Sequence, residues 1–300
     1  YLDLGENPPQ GVIFHYVLND PENSKVELQI FDSKGNLIDT FETKQEDKVS
    51  RQTENDDEED QKPALTSSKG LNRFVWNMRY PGPAEKIDKT LEQKRYKALG
   101  RGEMGERGGP TAMPGTYQAV LRIENTKQEH HFEILKDPRL ETSEEDYQAQ
   151  FDLWMNIRDQ LSETNRLLNQ LRRIRREIHV ILERPNLQKI QVPDELTSFK
   201  DNAEKVIQKL EVLENELVQT KNETPSDRLR FPMMLRDRIE GLISVVAVAE
   251  AAPPQQAHEV FQHLKGLLAE KTSSMQQLLS VDLVTLKELA QKANIQFFEE

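Results

Sequence analysis

Cysteine is absent from the 300 residues, which excludes disulfides and thiolate chemistry and leaves the redox compartment open. Long apolar runs are missing too. The most apolar stretch, Leu242-Ile243-Ser244-Val245-Val246-Ala247-Val248-Ala249, lies between Glu240 and Glu250 and falls well short of the ~20 residues that cross a bilayer. It reads as a buried helix, and no membrane span is expected. No basic segment followed by an apolar one stands near Tyr1, so an export signal would lie upstream. Positive charge is also in deficit. A net charge of −12 argues against sequence-independent nucleic-acid binding, which depends on neutralising phosphates with Lys and Arg.

What is present is polar and charged: 31% of residues are Asp, Glu, Lys or Arg, and the mean hydropathy is −0.75. A chain this long exceeds one ordinary core. Its hydrophobic period changes near residue 140. We therefore expect an α+β protein with a β-sandwich domain over 1–140 and a helical domain over 141–300. The chain opens on Tyr1 and not on Met, which suggests a processed chain or a piece of a longer one.

The sheet domain is organised around Gly70 to Pro83. Phe74, Trp76, Met78 and Tyr80 alternate with Arg73, Val75, Asn77 and Arg79, the pattern of a half-buried strand. Val12, Phe14, Tyr16 and Leu18 alternate likewise. Val26, Leu28 and Ile30 form one arm of a hairpin whose turn, Ser33-Lys34-Gly35-Asn36, leads into Leu37 to Phe41, with glycine where a turn needs positive φ. Tyr117, Ala119, Leu121 and Ile123 mark another strand, reversed by Glu124-Asn125-Thr126-Lys127 into His130 to Leu135. Six strands with short turns suggest an antiparallel sandwich of immunoglobulin-like or fibronectin-like shape. A seventh strand is left to one of the long loops.

Those loops span 42–69 and 81–113. Residues 42–60 hold nine acids against three bases, a net of −6. The contiguous acids Asp56 to Asp60 lack the alternating spacing of a Ca²⁺ loop, so a solvated loop is the expectation. Gly100-Arg101-Gly102 and Gly105 to Pro110 are glycine-dense but lack the Lys-Ser/Thr ending of a phosphate loop. Adjacent His130 and His131 point to opposite faces of a strand and cannot share an ion from one side. His258 and His263 are five apart, which is wrong for ligation from one helix face.

Beyond Asp137-Pro138-Arg139, a capping pattern of Thr142 and Glu145 opens a long helix carrying Phe151, Trp154, Ile157, Leu161, Leu167, Leu171, Ile174, Ile178 and Ile181, running to about Glu183. Arg172, Arg173, Arg175 and Arg176 read as a solvated face, with a grip on an anionic partner as the lesser reading. Pro193-Asp194 starts a second helix. Leu235, Ile239, Leu242, Ile243 and Val246 form the inner face of a third, and Val260, Phe261, Leu264, Leu267, Leu268, Met275, Leu278 and Leu279 line a fourth. Ser280 and Asp282 suggest a break and a new cap. About four helices joined by proline-marked links suggest an antiparallel bundle.

Several motifs in order, Asn7-Pro8-Pro9-x-Gly11-Val12, the stretch Gly70 to Pro83, Pro114-Gly115-Thr116-Tyr117, Asp137-Pro138-Arg139 and Arg230-Phe231-Pro232-Met233-Met234-Leu235, resemble the C-terminal region of large bacterial sortilin-like proteins with a BNR-repeat β-propeller. Such proteins often carry a glycosyl hydrolase label because of the propeller, and the propeller repeats are absent from this sequence. The resemblance implies an exported, extracytoplasmic protein and a non-catalytic structural and protein-interaction module. Its partner would be the upstream propeller or another protein, and a homo-oligomer is left open. No catalytic, cofactor or metal residue is identified. The alternative is a carbohydrate-binding accessory region using Tyr80, Tyr96 or Tyr117 as stacking platforms, although period places Tyr80 and Tyr117 on core faces. Hydrolysis by acids near Asp56 or by Glu103 and Glu106 would need a rigid floor that loops do not supply.

Overall fold

The computed structural model describes residues 9–19, 25–43, 63–91, 109–124, 126–184, 193–222, 227 and 229–296. Asn7-Pro8, Asp56 to Asp60, Tyr96, Gly100 to Gly108, Glu103 and Glu106 lie outside them, so the expectations placed there are not carried further. The described residues form two compact units, one drawn from 1–81 and 108–143 and the other from 82–107 and 144–300. The protein is α+β, with small antiparallel sheets in the first unit and helices in the second.

In the first unit the strands are β1 (Val12–Leu18), β2 (Val26–Phe31), β3 (Leu37–Glu42), β4 (Gly70–Trp76), β5 (Gly115–Ile123) and β6 (Thr126–Ile134). β1 pairs with β4, and a second sheet has the order β3-β2-β5-β6. Among the described residues this is a two-plus-four division, unlike the four-plus-three of an immunoglobulin constant domain, and Thr43 with Leu65 and Arg79 with Thr111 add isolated bridges. The two sheets share one core. Phe41 of β3 meets Phe74 of β4 at 4.7 Å between ring centroids. Phe14 of β1 meets Phe132 of β6 edge-on at 5.5 Å, and Trp76 meets Tyr117 of β5 at 6.0 Å.

The β1–β4 register explains the alternation. Val12 opposes Trp76 and Phe14 opposes Phe74 on the inner face, while Ile13, His15 and Val17 oppose Val75, Arg73 and Leu71 on the outer one. The organising strand is shorter than its pattern. It ends at Trp76, Met78 turns through a φ of 57°, and the Trp76 indole N–H donates to the Arg79 carbonyl at 3.2 Å. Close approach also decides Gly11, where a Cβ would lie 2.2 Å from the Trp76 carbonyl oxygen. In the β2–β3 hairpin the Asp32 carboxylate accepts from the backbone N–H groups of Lys34 and Asn36 at 2.9 and 2.8 Å, and Gly35 supplies the positive φ, 81°.

The second unit is built on α1 (Glu144–Leu182), a helix of 39 residues. It packs against α2 (Pro193–Leu217), α3 (Leu235–Val246) and α4 (Gln255–Gln277). Because α1 is covered on several sides, its buried residues extend beyond the apolar stripe to Gln160, Ser162, Thr164, Asn165, Asn169, Arg172 and Arg175. The α3 core face is Leu235, Ile239, Leu242, Ile243 and Val246, as the spacing requires. Gln150 of α1 finishes that helix from outside, its amide donating to the carbonyls of Val246 and Ala249 at 2.6 and 2.5 Å, which satisfies terminal acceptors.

The expected break at Ser280 is replaced by continuous helix. Leu278–Asp282 forms a π turn in which the Leu283 N–H donates to the Leu278 carbonyl, and α5 (Leu283–Lys292) follows with no cap between. Asp282, read as a cap, instead pairs with Lys209 of α2 at 2.7 Å. The π turn inserts a residue into the helical phase, which in sequence looks like a stop. The run closes with Asn294 at φ 54°, and buried Ile295 donates to the Ala290 carbonyl at 2.8 Å, the left-handed closure described for helix ends.

Candidate functional site

Helical spacing places Ser162, Asn165 and Asn169 on one side of α1, three and four residues apart. Asparagine and serine are poor choices for a helix interior, because their side chains compete for backbone hydrogen bonds. Here they serve another stretch of backbone. The chain segment Glu85-Lys86-Ile87-Asp88, which the sequence reading left in a loop of the sheet domain, packs on α1 within the second unit. The Glu85 N–H donates to Ser162 Oγ at 2.9 Å, and Asn165 Nδ2 donates to the Glu85 carbonyl at 2.8 Å.

Asn169 does the most. Its Nδ2 donates to the Lys86 carbonyl at 2.7 Å and to Glu85 Oε1 at 2.8 Å, and its Oδ1 accepts from the Asp88 N–H at 2.9 Å. A carboxamide thus brackets Ile87 by taking the acceptor before it and the donor after it, as a neighbouring strand would. Ile87 itself packs against the helical core. Asn165 is oriented from α3: Arg236 Nε donates to Asn165 Oδ1 at 2.9 Å and is held in turn by Glu240 at 3.0 Å. Each of the three short side chains is more than nine-tenths buried, so their bonds are made away from competing water.

The segment continues through Asp88 into a short 3₁₀ turn, Lys89–Leu91. Asp88, Thr90 and Leu91 border an open groove of about 340 Å³ with Arg173, Arg176, Glu177 and Val180 of α1. The Asp88 carboxyl is held below the ordinary carboxylate range, first by the Thr90 hydroxyl and then by the Thr90 N–H and the fields of Arg173 and Arg176. A lowered folded value means that its contribution is present at neutral pH and fades as pH falls through that value.

The arginine row therefore divides. Arg173 and Arg176 are exposed at the groove, whereas Arg172 and Arg175 turn inward, which corrects the reading of all four as a solvated face. Arg172 Nε bonds Glu214 Oε1 of α2 at 2.7 Å, and Arg175 Nη1 bonds Glu214 Oε2.

Other sequence candidates do not converge. His130 and His131 are both exposed on β6, His263 is exposed on α4, and His258 is half-buried there. Among the described residues, no three His, Asp or Glu side chains gather in a way that would hold a metal ion. Tyr117 stacks on Phe132 at 5.7 Å and donates its hydroxyl to the Met113 carbonyl at 2.7 Å. Burial pushes its hydroxyl up to about 12, and with the side chain 5% exposed the ring presents no face for stacking a sugar. Tyr80 is half-buried and likewise raised by burial.

The sequence reading passed over Ser162, Asn165, Asn169 and Glu85. A signal existed, namely three helix-disfavouring polar residues at helical spacing inside an apolar stretch. Replacing Asn169 by leucine removes its bonds to the Lys86 carbonyl and the Asp88 N–H, at about 0.5–1.5 kcal/mol for each. Urea denaturation followed by helical circular dichroism should show a midpoint lowered accordingly, while Asn156→Leu, at an exposed position of the same helix, should leave it nearly unchanged.

No family model, curated protein or solved structure matches the chain. Among the described residues, no helix is long and apolar enough to cross a membrane.

Proposed function

We propose that this chain is a non-catalytic structural and protein-interaction module that works by holding extended pieces of polypeptide. The observation that carries the reading is the Asn169 bracket around Ile87. Buried polar side chains of the central helix are spent on main-chain atoms of another segment, the chemistry of a scaffold and not of a reaction centre. The Arg172–Glu214–Arg175 cluster supports it in the same way, since its charges are used against one another.

In this reading the two sheets are a variant of the immunoglobulin-like or fibronectin-like sandwich, and the helices are an antiparallel bundle. The motif resemblance supports a place in the C-terminal part of an exported β-propeller protein, with the upstream propeller of the same polypeptide as partner. To test this, the upstream part of the parent polypeptide is produced separately and mixed with this chain at micromolar concentration. Co-elution from a sizing column is expected, and independent elution of the two pieces would overturn the assignment.

A further inference from the structure

Most bonds between α1 and its docked segment go to groups that every polypeptide owns. Ser162 and Asn165 read the N–H and carbonyl of residue 85, and Asn169 reads the carbonyl of 86 and the N–H of 88. Three features of the segment depend on its side chains. Glu85 places a carboxylate oxygen on Asn169, Ile87 packs half-buried against the apolar core, and Asp88 lies beside Arg173 and Arg176.

We propose that this face of α1 is a binding site for acidic peptide segments with an aliphatic anchor, of the form Glu-x-Ile-Asp, and that residues 85–88 are its tethered and exchangeable occupant. The inference rests on the interaction-module reading and adds the ligand class and the means by which the site is regulated. An incoming strand of another polypeptide would take the same main-chain bonds, fill the Ile87 position with its own aliphatic side chain and bring its acids to Asn169 and the exposed arginines. The tethered segment competes at an effective concentration on the order of millimolar. The site would therefore open to a partner that outcompetes this tether or arrives with a second point of attachment.

The probe is a labelled peptide with the sequence of residues 82–91, titrated into the full chain and into a Glu85→Ala/Ile87→Ser variant whose own segment is weakened. Saturable binding to the variant is expected, at least about tenfold tighter than to the parent chain, where the tether competes. Adding Asn169→Leu to the variant should weaken it by about tenfold or more. A variant with an intact thermal transition that binds no peptide, or that binds it regardless of Asn169, overturns the proposal.

Should the variant fail to fold, amide exchange on the parent chain decides. The Glu85 and Asp88 amides must exchange about a hundredfold faster than those of Leu168 and Leu171, as local opening requires. Equal protection would mean that the segment never leaves, and the proposal fails. The two readings fail separately: a permanently bound segment removes the exchange and leaves the module, whereas loss of association with the upstream piece removes the module's assignment and leaves the peptide site.

Discussion

Glu214→Ala is expected to destabilise the helical unit by about 3–5 kcal/mol, the range for removing one member of a buried ion pair. Glu214 is the counter-ion of two guanidinium groups at once, and the three side chains are between 4% and 10% exposed. Truncation removes the carboxylate that Arg172 and Arg175 share at this contact. Their desolvation cost persists while the attraction that offset it is gone. In a unit of this size the loss corresponds to roughly 10 °C in melting temperature, read from helical circular dichroism.

The converse substitution separates the price of a lone charge from the worth of the cluster. Arg172→Met, Arg175→Met and Glu214→Leu together remove the three charges of this cluster and keep most of the volume. That triple variant should be about as stable as the parent chain, or up to ~4 kcal/mol more stable. Equal, large losses in both variants would show that packing around the arginine stems, not charge pairing, dominates at this contact.

The same cluster shows where sequence reading ends. Alternation places Val26, Leu28 and Ile30 inward, and all three are buried, because a strand repeats every two residues whatever it packs against. The third helix is equally legible from its apolar spacing alone. Arg172 and Arg175 sit at inward spacings too, but hydropathy assigns charge to solvent. Their partner is some forty residues ahead on another helix, and nothing local announces it. Ile87 is harder still. It is one aliphatic residue in an aperiodic stretch, and its packing against the core depends on a bracket supplied by α1, so a reading by period can only leave it in a loop. At Ser280 the failure has a third cause. Both a cap and a π turn interrupt the phase beside a serine and an aspartate, and only the Lys209 contact to Asp282 separates them.

For Trp76→Ala the expected loss is about 3–5 kcal/mol in the sheet unit, the usual cost of emptying a large aromatic from a core. The indole is 1% exposed. It meets Tyr117 at 6.0 Å and Phe132 at 6.2 Å, so one side chain of the two-stranded sheet contacts two strands of the other sheet. A two-stranded sheet is marginal by itself; β1 and β4 persist because Trp76, with Phe14 and Phe74, attaches them to the four-stranded layer. Removing the ring also removes the hydrogen bond that its N–H donates to the Arg79 carbonyl, which loosens the turn at Met78. Phenylalanine restores much of the ring contact and not the hydrogen bond, so Trp76→Phe should recover more than half of the loss. The measurement is the near-ultraviolet dichroism of the clustered aromatics during urea titration. A Trp76→Ala variant with an unshifted transition would mean that the two sheets do not depend on this residue, and that the aromatic contacts at Phe14 and Phe74 suffice to hold β1 and β4 in place.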